Sequence, residues 1–352
     1  MFIIPEKSLV YPFVLLFIVL SACKKPAQSD IVSINYAITP GSVPYVQASG
    51  VYISGTVPLH DSIAAANVWL NGSMFSLPTV SGDTHGITFQ GKDVYVTGLS
   101  QNKPVYWKNS VISAPFEVPA NYSVNVFGIA VSGNDVYVSG TIFSISAGSM
   151  AVYWKNGTIN YLSTNGQQPL LGTGANGIVI SGSDVYICGE FDFNAVYWKN
   201  GAMATLTTGT DIGIAVSGSD VYVLGVEQAN AQHQYDLPVY WKNGVPVYLT
   251  GFATVSSIAV QGTDVYVAGN IFSTTNIHTV AGYAKNGIIT NLNTGFDGSF
   301  ANAICVNNGN VYVAGLGYNG TSPTLGVYWT NGANPVILSS QRAFISGIVY
   351  VP

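Results

Sequence analysis

Val32, Ile34, Tyr36 and Ile38 alternate with Ser33, Asn35 and Ala37, the period-2 pattern of a β-strand, and Pro40-Gly41 ends it. Beyond that point the apolar positions repeat in blocks. A Val-Tyr-Val type of triplet begins at Val51, Val94, Val136, Val185, Val221, Val265 and Val311, at spacings of 43, 42, 49, 36, 44 and 46 residues. A second block follows each triplet. Its fullest form is Val152-Tyr153-Trp154-Lys155-Asn156-Gly157, with close copies at 105–109, 196–201 and 239–244, a variant at 327–332 and looser versions at 68–72 and 282–287. All six tryptophans (Trp69, Trp107, Trp154, Trp198, Trp241 and Trp329) occupy one slot of this block, and Ala284 takes it in the sixth copy.

One unit therefore reads as four strands. Strand A is of the Gly128-Ile129-Ala130-Val131 kind, B is the Val-Tyr-Val triplet, C is the Trp block, and D is a short apolar segment such as 159–162. A tight turn of the Ser217-Gly218-Ser219 kind joins A to B. The C–D turn is Asn-Gly in six of the seven copies, the dipeptide that supplies positive φ for a two-residue type I′ hairpin. Val and Tyr at adjacent positions make B and C apolar on both sides, as strands packed between neighbouring sheets must be. Four-stranded units of this length predict an all-β fold, a seven-bladed β-propeller with four-stranded blades. The C-terminal segment Gly347 to Val351 resembles strand A and has no B strand after it. It is expected to close the ring by completing the first blade, whose own upstream segment, 45–48, is a weak strand. An open solenoid would need polar caps at both ends. The strand at 32–38 is left as an extra outer strand or part of the closure.

The repeats resemble those of kelch-type and other bacterial propellers, and more closely the uncharacterised bacterial surface lipoproteins built of Tyr-Trp-Lys-Asn-Gly units, over roughly residues 43–352. The chain departs from kelch in carrying a single glycine after strand B (Gly98, Gly140, Gly189, Gly225, Gly269 and Gly315) where kelch has a pair. The resemblance implies the fold and no particular activity.

Composition narrows the setting. Hydrophobic residues make up 48% and charged residues 8%, against roughly 25% charged in an average chain, which excludes disorder. A net charge of -5 and a single arginine, Arg342, argue against nucleic acid, which needs clustered cations. Lys7 precedes an apolar run from Leu9 to Leu20, too short to span a bilayer and flanked as a secretory signal is. Leu20-Ser21-Ala22-Cys23 resembles the lipobox of bacterial lipoproteins. That resemblance implies cleavage after residue 22, acylation of Cys23, and, from Lys24 rather than Asp, lipid anchoring in the outer membrane, facing the periplasm or the surface. The expected organisation is a signal peptide at 1–22, a lipidated tether and strand at 23–42 and a propeller at 43–352. A monomer is expected.

Candidate chemistry comes from sorting charges by loop. The tight-turn end carries Asp93, Asp135, Asp184, Asp220 and Asp264 against six lysines, a net of +1. The end with the longer B–C and D–A loops carries nine acids against Lys103 and Arg342, a net of -7, and all four histidines. Ligand-binding candidates there are His60, Asp61, Glu190, Asp192, Glu227, His233, Asp236 and His278. The expected function is a non-enzymatic module binding a glycan or an envelope or surface protein. Glycoside or lyase chemistry by paired carboxylates, and a purely structural envelope role, are the alternatives. No cofactor is predicted, although the carboxylates could offer oxygen ligands to Ca²⁺. The tryptophans and turn aspartates read as architecture: packing in the first case, acceptors for backbone N–H groups in the second. At Ala284 the pattern predicts a void or a compensating side chain. Cys188 and Cys305 read as two separate buried thiols.

Overall fold

The computed structural model describes residues 47–352 apart from 61–62, 163, 165–172, 231–232, 273–278, 293–294 and 321–323. The signal segment, Cys23 and the strand expected at 32–38 lie outside the described residues.

The described residues form an all-β fold without a helix, built of four-stranded antiparallel units. The first unit contains β1 (Gly50–His60), β2 (Ile63–Leu70) and β3 (Ser73–Ser76). The next two are β4 (Gly82–Gln90), β5 (Asp93–Ser100), β6 (Lys103–Lys108) and β7 (Val111–Ile112), then β8 (Ser123–Ser132), β9 (Asp135–Ser144), β10 (Gly148–Lys155) and β11 (Thr158–Tyr161). A longer sheet runs through β12 (Gly174–Ser181), β13 (Asp184–Phe191), β14 (Asn194–Lys199), β15 (Ala202–Ser217), β16 (Asp220–Glu227), β17 (Leu237–Lys242) and β18 (Val245–Tyr248). Two more units follow: β19 (Phe252–Gln261), β20 (Asp264–Ile271), β21 (Val280–Lys285) and β22 (Ile288–Asn291), then β23 (Gly298–Asn307), β24 (Asn310–Tyr318), β25 (Leu325–Thr330) and β26 (Val336–Arg342). The last strand, β27 (Phe344–Val351), returns to pair with β1, so the first sheet has the order β27-β1-β2-β3. Residues 47–48 form no strand, and β27 holds the A position of that unit.

The seven-stranded sheet departs from the expected separation of D and A strands. The first half of β15, from Ala202 to Thr208, pairs with β14, and the half from Gly209 to Ser217 pairs with β16. The spacing from Val185 to Val221, 36 residues, is the shortest between triplets, so two units share one strand where the others have a loop. The A-position strands neighbour one another in chain order: β4 lies beside β8, β8 beside β12, β12 beside β15, β15 beside β19, β19 beside β23, and β23 beside β27. Strand β27 in turn lies beside β4.

The Trp block is a structural cassette. Its Asn has φ of 49–53° and the following Gly 75–90°, so the C–D connections are the two-residue turns with two positive φ values that the dipeptide predicts. In five units the preceding Lys bridges the Asp that opens strand B, as in Lys108 to Asp93 at 2.8 Å, and lies 5.2–5.4 Å over the ring of the B-strand Tyr. The Asn Nδ2 donates to the same Asp at 2.7–2.8 Å. Backbone N–H groups of strand B are taken by the Asn Oδ1, at 2.8–2.9 Å. The aspartates therefore do not serve as backbone acceptors as expected; a side-chain carbonyl fills that role, and each carboxylate is left to bind Lys and Asn. In the last unit Asn310 and Asn331 keep the side-chain pair without the cation.

The tryptophans pack between units. Each is fully buried, and the indole N–H of three donates backwards to the preceding unit: Trp107 to Pro78 O, Trp154 to Glu117 O and Trp69 to Leu338 O, the last linking the first unit to the final one. Where Ala284 replaces Trp, Phe252 compensates. Its ring is buried and lies against Gly269, the place that Trp154, Trp198 and Trp241 reach beside Gly140, Gly189 and Gly225. Cys188 is buried and Cys305 half-buried, and neither forms a disulfide.

Candidate ligand-binding site

The single glycine after strand B explains the geometry of the site. In every unit it faces a β-bulge in strand A. A Cβ on Gly98 would run into Asp83 O, one on Gly140 into Asn125 O, on Gly189 into Gly174 O, on Gly225 into Thr210 O, on Gly269 into Thr254 O and on Gly315 into Phe300 O; Gly55 meets Phe344 O in the same way. A carbonyl pressed onto the neighbouring strand leaves no room for any other residue type. Just beyond that contact the register slips. The residues left unpaired are His85, Asn176, Ile212, Ser256, Asn302 and Ser346, with the Phe127-Gly128 pair in the remaining strand.

These residues meet. All of them, with the Ile that follows in each strand, line one cavity of about 480 Å³ between the A-position strands. Its wall pairs a repeated apolar layer with a layer that differs from strand to strand. Ser346 bridges two units there, its hydroxyl 2.9 Å from both Ser54 Oγ and Thr84 Oγ1. Asn302 Nδ2 donates to Ile345 O at 3.2 Å. His85 Nε2 lies 3.2 Å from Asp83 Oδ1 without hydrogen-bond alignment, and its ring meets Phe127 edge-on.

Asp211 is the exception in this lining. It is 4% exposed, and its Oδ1 accepts from Asn176 Nδ2 at 3.0 Å. Its Oδ2 is buried with no hydrogen-bond partner among the described residues. Burial pushes this carboxyl up to about 7; the neighbouring Cys188 thiol opposes the shift, and the charge of Glu190 adds to it. Burial raises Glu190 as well. Burial and the Asp211 charge hold Cys188 as a neutral thiol, far from the electropositive setting of a reactive cysteine. Burial likewise pushes Cys305 up to about 12.

The residues singled out in the sequence fall into three groups. Asp61 and His278 lie outside the described residues, and His60 ends β1. Glu227, His233 and Asp236 are brought together in the loop after β16, but mainly to hold that loop. The Glu227 carboxylate, buried, accepts from Tyr248 OH at 3.0 Å and Asn230 Nδ2 at 3.1 Å, and lies 3.5 Å from His233 Nε2. His233 Nδ1 contacts Tyr235 O at 2.8 Å, and Asp236 accepts from Ala229 N. Glu190, next to the end of β13, is near enough for its charge to act on Asp211 but does not line the cavity. Asp192 occupies the turn after β13 at φ 51°, its carbonyl accepting from Asn194 Nδ2.

Two features escaped the sequence reading. One is the ring of bulge residues. The other is a set of exposed aromatics at the same end of the strands: Phe143, Phe193, Tyr235, Phe272 and Phe344. Phe193 is 59% exposed and sits at φ 60° in the second turn position after β13, where glycine would be unstrained. A bulky residue at such a backbone angle, and kept in water, is a candidate for contact with a ligand. The signal for the ring was present: the residue two before each strand-A Ile, or its neighbour, varies while its surroundings repeat.

No protein-family model matches the chain, and no curated protein matches it. Solved structures do. A puromycin-hydrolyzing peptidase of Mycobacterium tuberculosis superposes with a TM-score of 0.54 at 11% identity, covering 84% of this chain and 52% of that one. TolB from Acinetobacter baumannii gives 0.45 at 7% identity, over 68% and 62% of the two chains. An ulvan lyase of a polysaccharide lyase family gives 0.45 at 10% identity, over 86% and 85%. This chain spans about half the length of the peptidase. The likeness concerns the fold alone, which is propeller-like.

Proposed function

We propose that the chain is a lipid-anchored outer-membrane protein whose units form a closed seven-bladed propeller, and that it binds a glycan over the central cavity at the long-loop end. The observation that carries this reading is the bulge repeated in every A-position strand, which sets non-identical side chains around one cavity. An architectural need would be met by one residue type throughout. The cavity volume falls within the roughly 300–1,000 Å³ of small-molecule sites. Its hydroxyl and amide groups suit a ligand rich in hydroxyls, and the exposed aromatics at the same end offer apolar faces to sugar rings. A protein partner would use the same aromatics but would have no use for the polar cavity.

Phe193→Gly tests this reading, because it separates binding from stability. It should relieve the turn and raise unfolding stability by about 1 kcal/mol, yet weaken retention on the polysaccharide that the unaltered chain retains in affinity electrophoresis. A variant that is more stable and binds as before would remove the rim from the site. Asn302→Ala should weaken retention from inside the cavity.

A second reading, glycan cleavage, is favoured by one observation: Glu190 and Asp211 interact and both are held toward the protonated form. Hydrolysis needs two carboxyl groups flanking the bond, at roughly 5 or 6.5–9.5 Å. Asp211 lines the cavity and Glu190 does not, which supports binding over cleavage. Release of new reducing ends that is abolished by Glu190→Gln would reverse that order.

A further inference from the structure

Resting on the glycan reading, we infer that the cavity selects a sugar carrying a free amino group, whose ammonium sits against Asp211. The argument starts from an imbalance. Asp211 is buried, yet one of its carboxyl oxygens has no hydrogen-bond partner among the described residues, and Asp211 lines the cavity. A buried, unsatisfied carboxyl oxygen is a standing cost that a fold removes unless something else fills the place. Its neighbours do not fill it. From β12 Asn176 reaches the other oxygen; from β13 come the Cys188 thiol and the carboxyl of Glu190, a like charge. Elsewhere in the lining, His85 is the one other titratable side chain, and no lysine or arginine is present among the described lining residues. One buried acid in the lining, a second acid acting on it from behind, and no permanent cation make a place for a positive group brought by the ligand.

The kind of cation follows from the remaining groups. Among the described residues no three His, Cys, Asp or Glu side chains group as a metal site. An ammonium needs fewer ligands and brings three N–H donors. One is directed at the Asp211 carboxyl. The lining residues Asn176, Ser256 and Ser346 carry acceptor groups for the others. The hydroxyl-rich character of the cavity then makes an amino sugar a better occupant than an aliphatic amine. Burial favours the neutral form of Asp211, and an ammonium alongside would favour the charged form, so binding should release a proton near neutral pH.

The test compares two disaccharides that differ only at nitrogen, the free-amine glucosamine dimer and its N-acetylated counterpart, by titration calorimetry on the full-length chain in detergent. The free amine is expected to bind about tenfold more tightly at about pH 7, with a heat that depends on buffer ionisation. Its advantage should shrink toward about pH 5, where Asp211 takes up a proton. Asp211→Asn should remove the advantage and leave the N-acetylated sugar's affinity in place; that retained affinity also shows that the variant is folded. Glu190→Gln should reduce the advantage less. Equal affinities for the two sugars, or an advantage that survives Asp211→Asn, overturn the amine assignment and leave the glycan reading standing. Binding of neither sugar defeats both. Heat from CaCl₂ alone that Asp211→Asn abolishes, with no preference for the amine, gives the site to a metal ion instead.

Discussion

Asp211 shows how one side chain can be read for stability as well as for binding. In an unfolded chain its carboxyl titrates near 3.8, and in the folded protein burial raises it to about 7. Below about pH 4 both states hold the proton and the shift has no effect. As the pH rises from there, the folded state keeps a proton that the unfolded state has lost, and stability falls until the folded carboxyl also ionises, above about pH 7. The full shift corresponds to about 4 kcal/mol at most. Asp211→Asn should therefore leave the denaturant midpoint unchanged at about pH 4 and raise it increasingly toward about pH 8. A variant that is destabilised throughout would mean that the carboxyl is satisfied by a partner in the folded protein. The cassette aspartates behave in the opposite sense: hydrogen bonds from Lys108 and Asn109 hold Asp93 below its ordinary range, so its contribution is present at neutral pH and fades in acid.

At the scale of strands, the sixth unit is a natural experiment in packing. Its C strand carries Ala284 where the others carry Trp, and Phe252, at the start of the A strand, supplies the missing ring from the opposite direction. Phe252→Ala should cost about 3–5 kcal/mol, as removal of a buried aromatic with partial collapse does. Ala284→Trp alone should also destabilise, since two rings would then compete for one space. Together the two substitutions restore the arrangement of the other units, and the double variant should be more stable than the sum of the single effects predicts, measured by urea unfolding. Simple additivity would show that the two rings do not share a site. This compensation was half legible in the sequence. A missing Trp in a fixed slot announces a void or a replacement, but which residue fills it depends on contact across strands 32 positions apart. The same contrast divides fold from site. Asn-Gly turns, the tryptophan slot and the Val-Tyr-Val triplets state their purpose locally, because each is decided by a backbone angle or by burial within one unit. The cavity is not local. His85, Asn176, Ser256, Asn302 and Ser346 acquire a common meaning only when separate strands are set side by side. Glu227 in particular looked available and is instead committed to Tyr248 and Asn230.

For the whole molecule the decisive element is β27, since it joins the two ends of the chain. It pairs with β1 through seven residue partners, from Gly50–Val351 to Thr56–Phe344. It also lies between β23 and β4. The cluster around it unites Ile53 and Trp69 from the first unit with Ala303, Tyr312 and Leu338 from the last. A stack of units open at both ends has nothing to lose at its beginning when its end is cut, whereas a closed one loses its seal. Deleting residues 344–352 uncovers the β1 edge, leaves Tyr312 without its stacking partner Tyr350 and takes Ile345 and Ile348 from the shared core. For a closed ring, amide exchange should accelerate in β4 and β23 together, though about 210 residues separate them in the chain, and unfolding should become less cooperative. Adding the 344–352 peptide should restore protection in both strands, since strand addition to an exposed edge supplies the missing hydrogen bonds. Accelerated exchange confined to β23 and its own unit would describe an open stack, and the central cavity would then lack the wall that Ser346 provides.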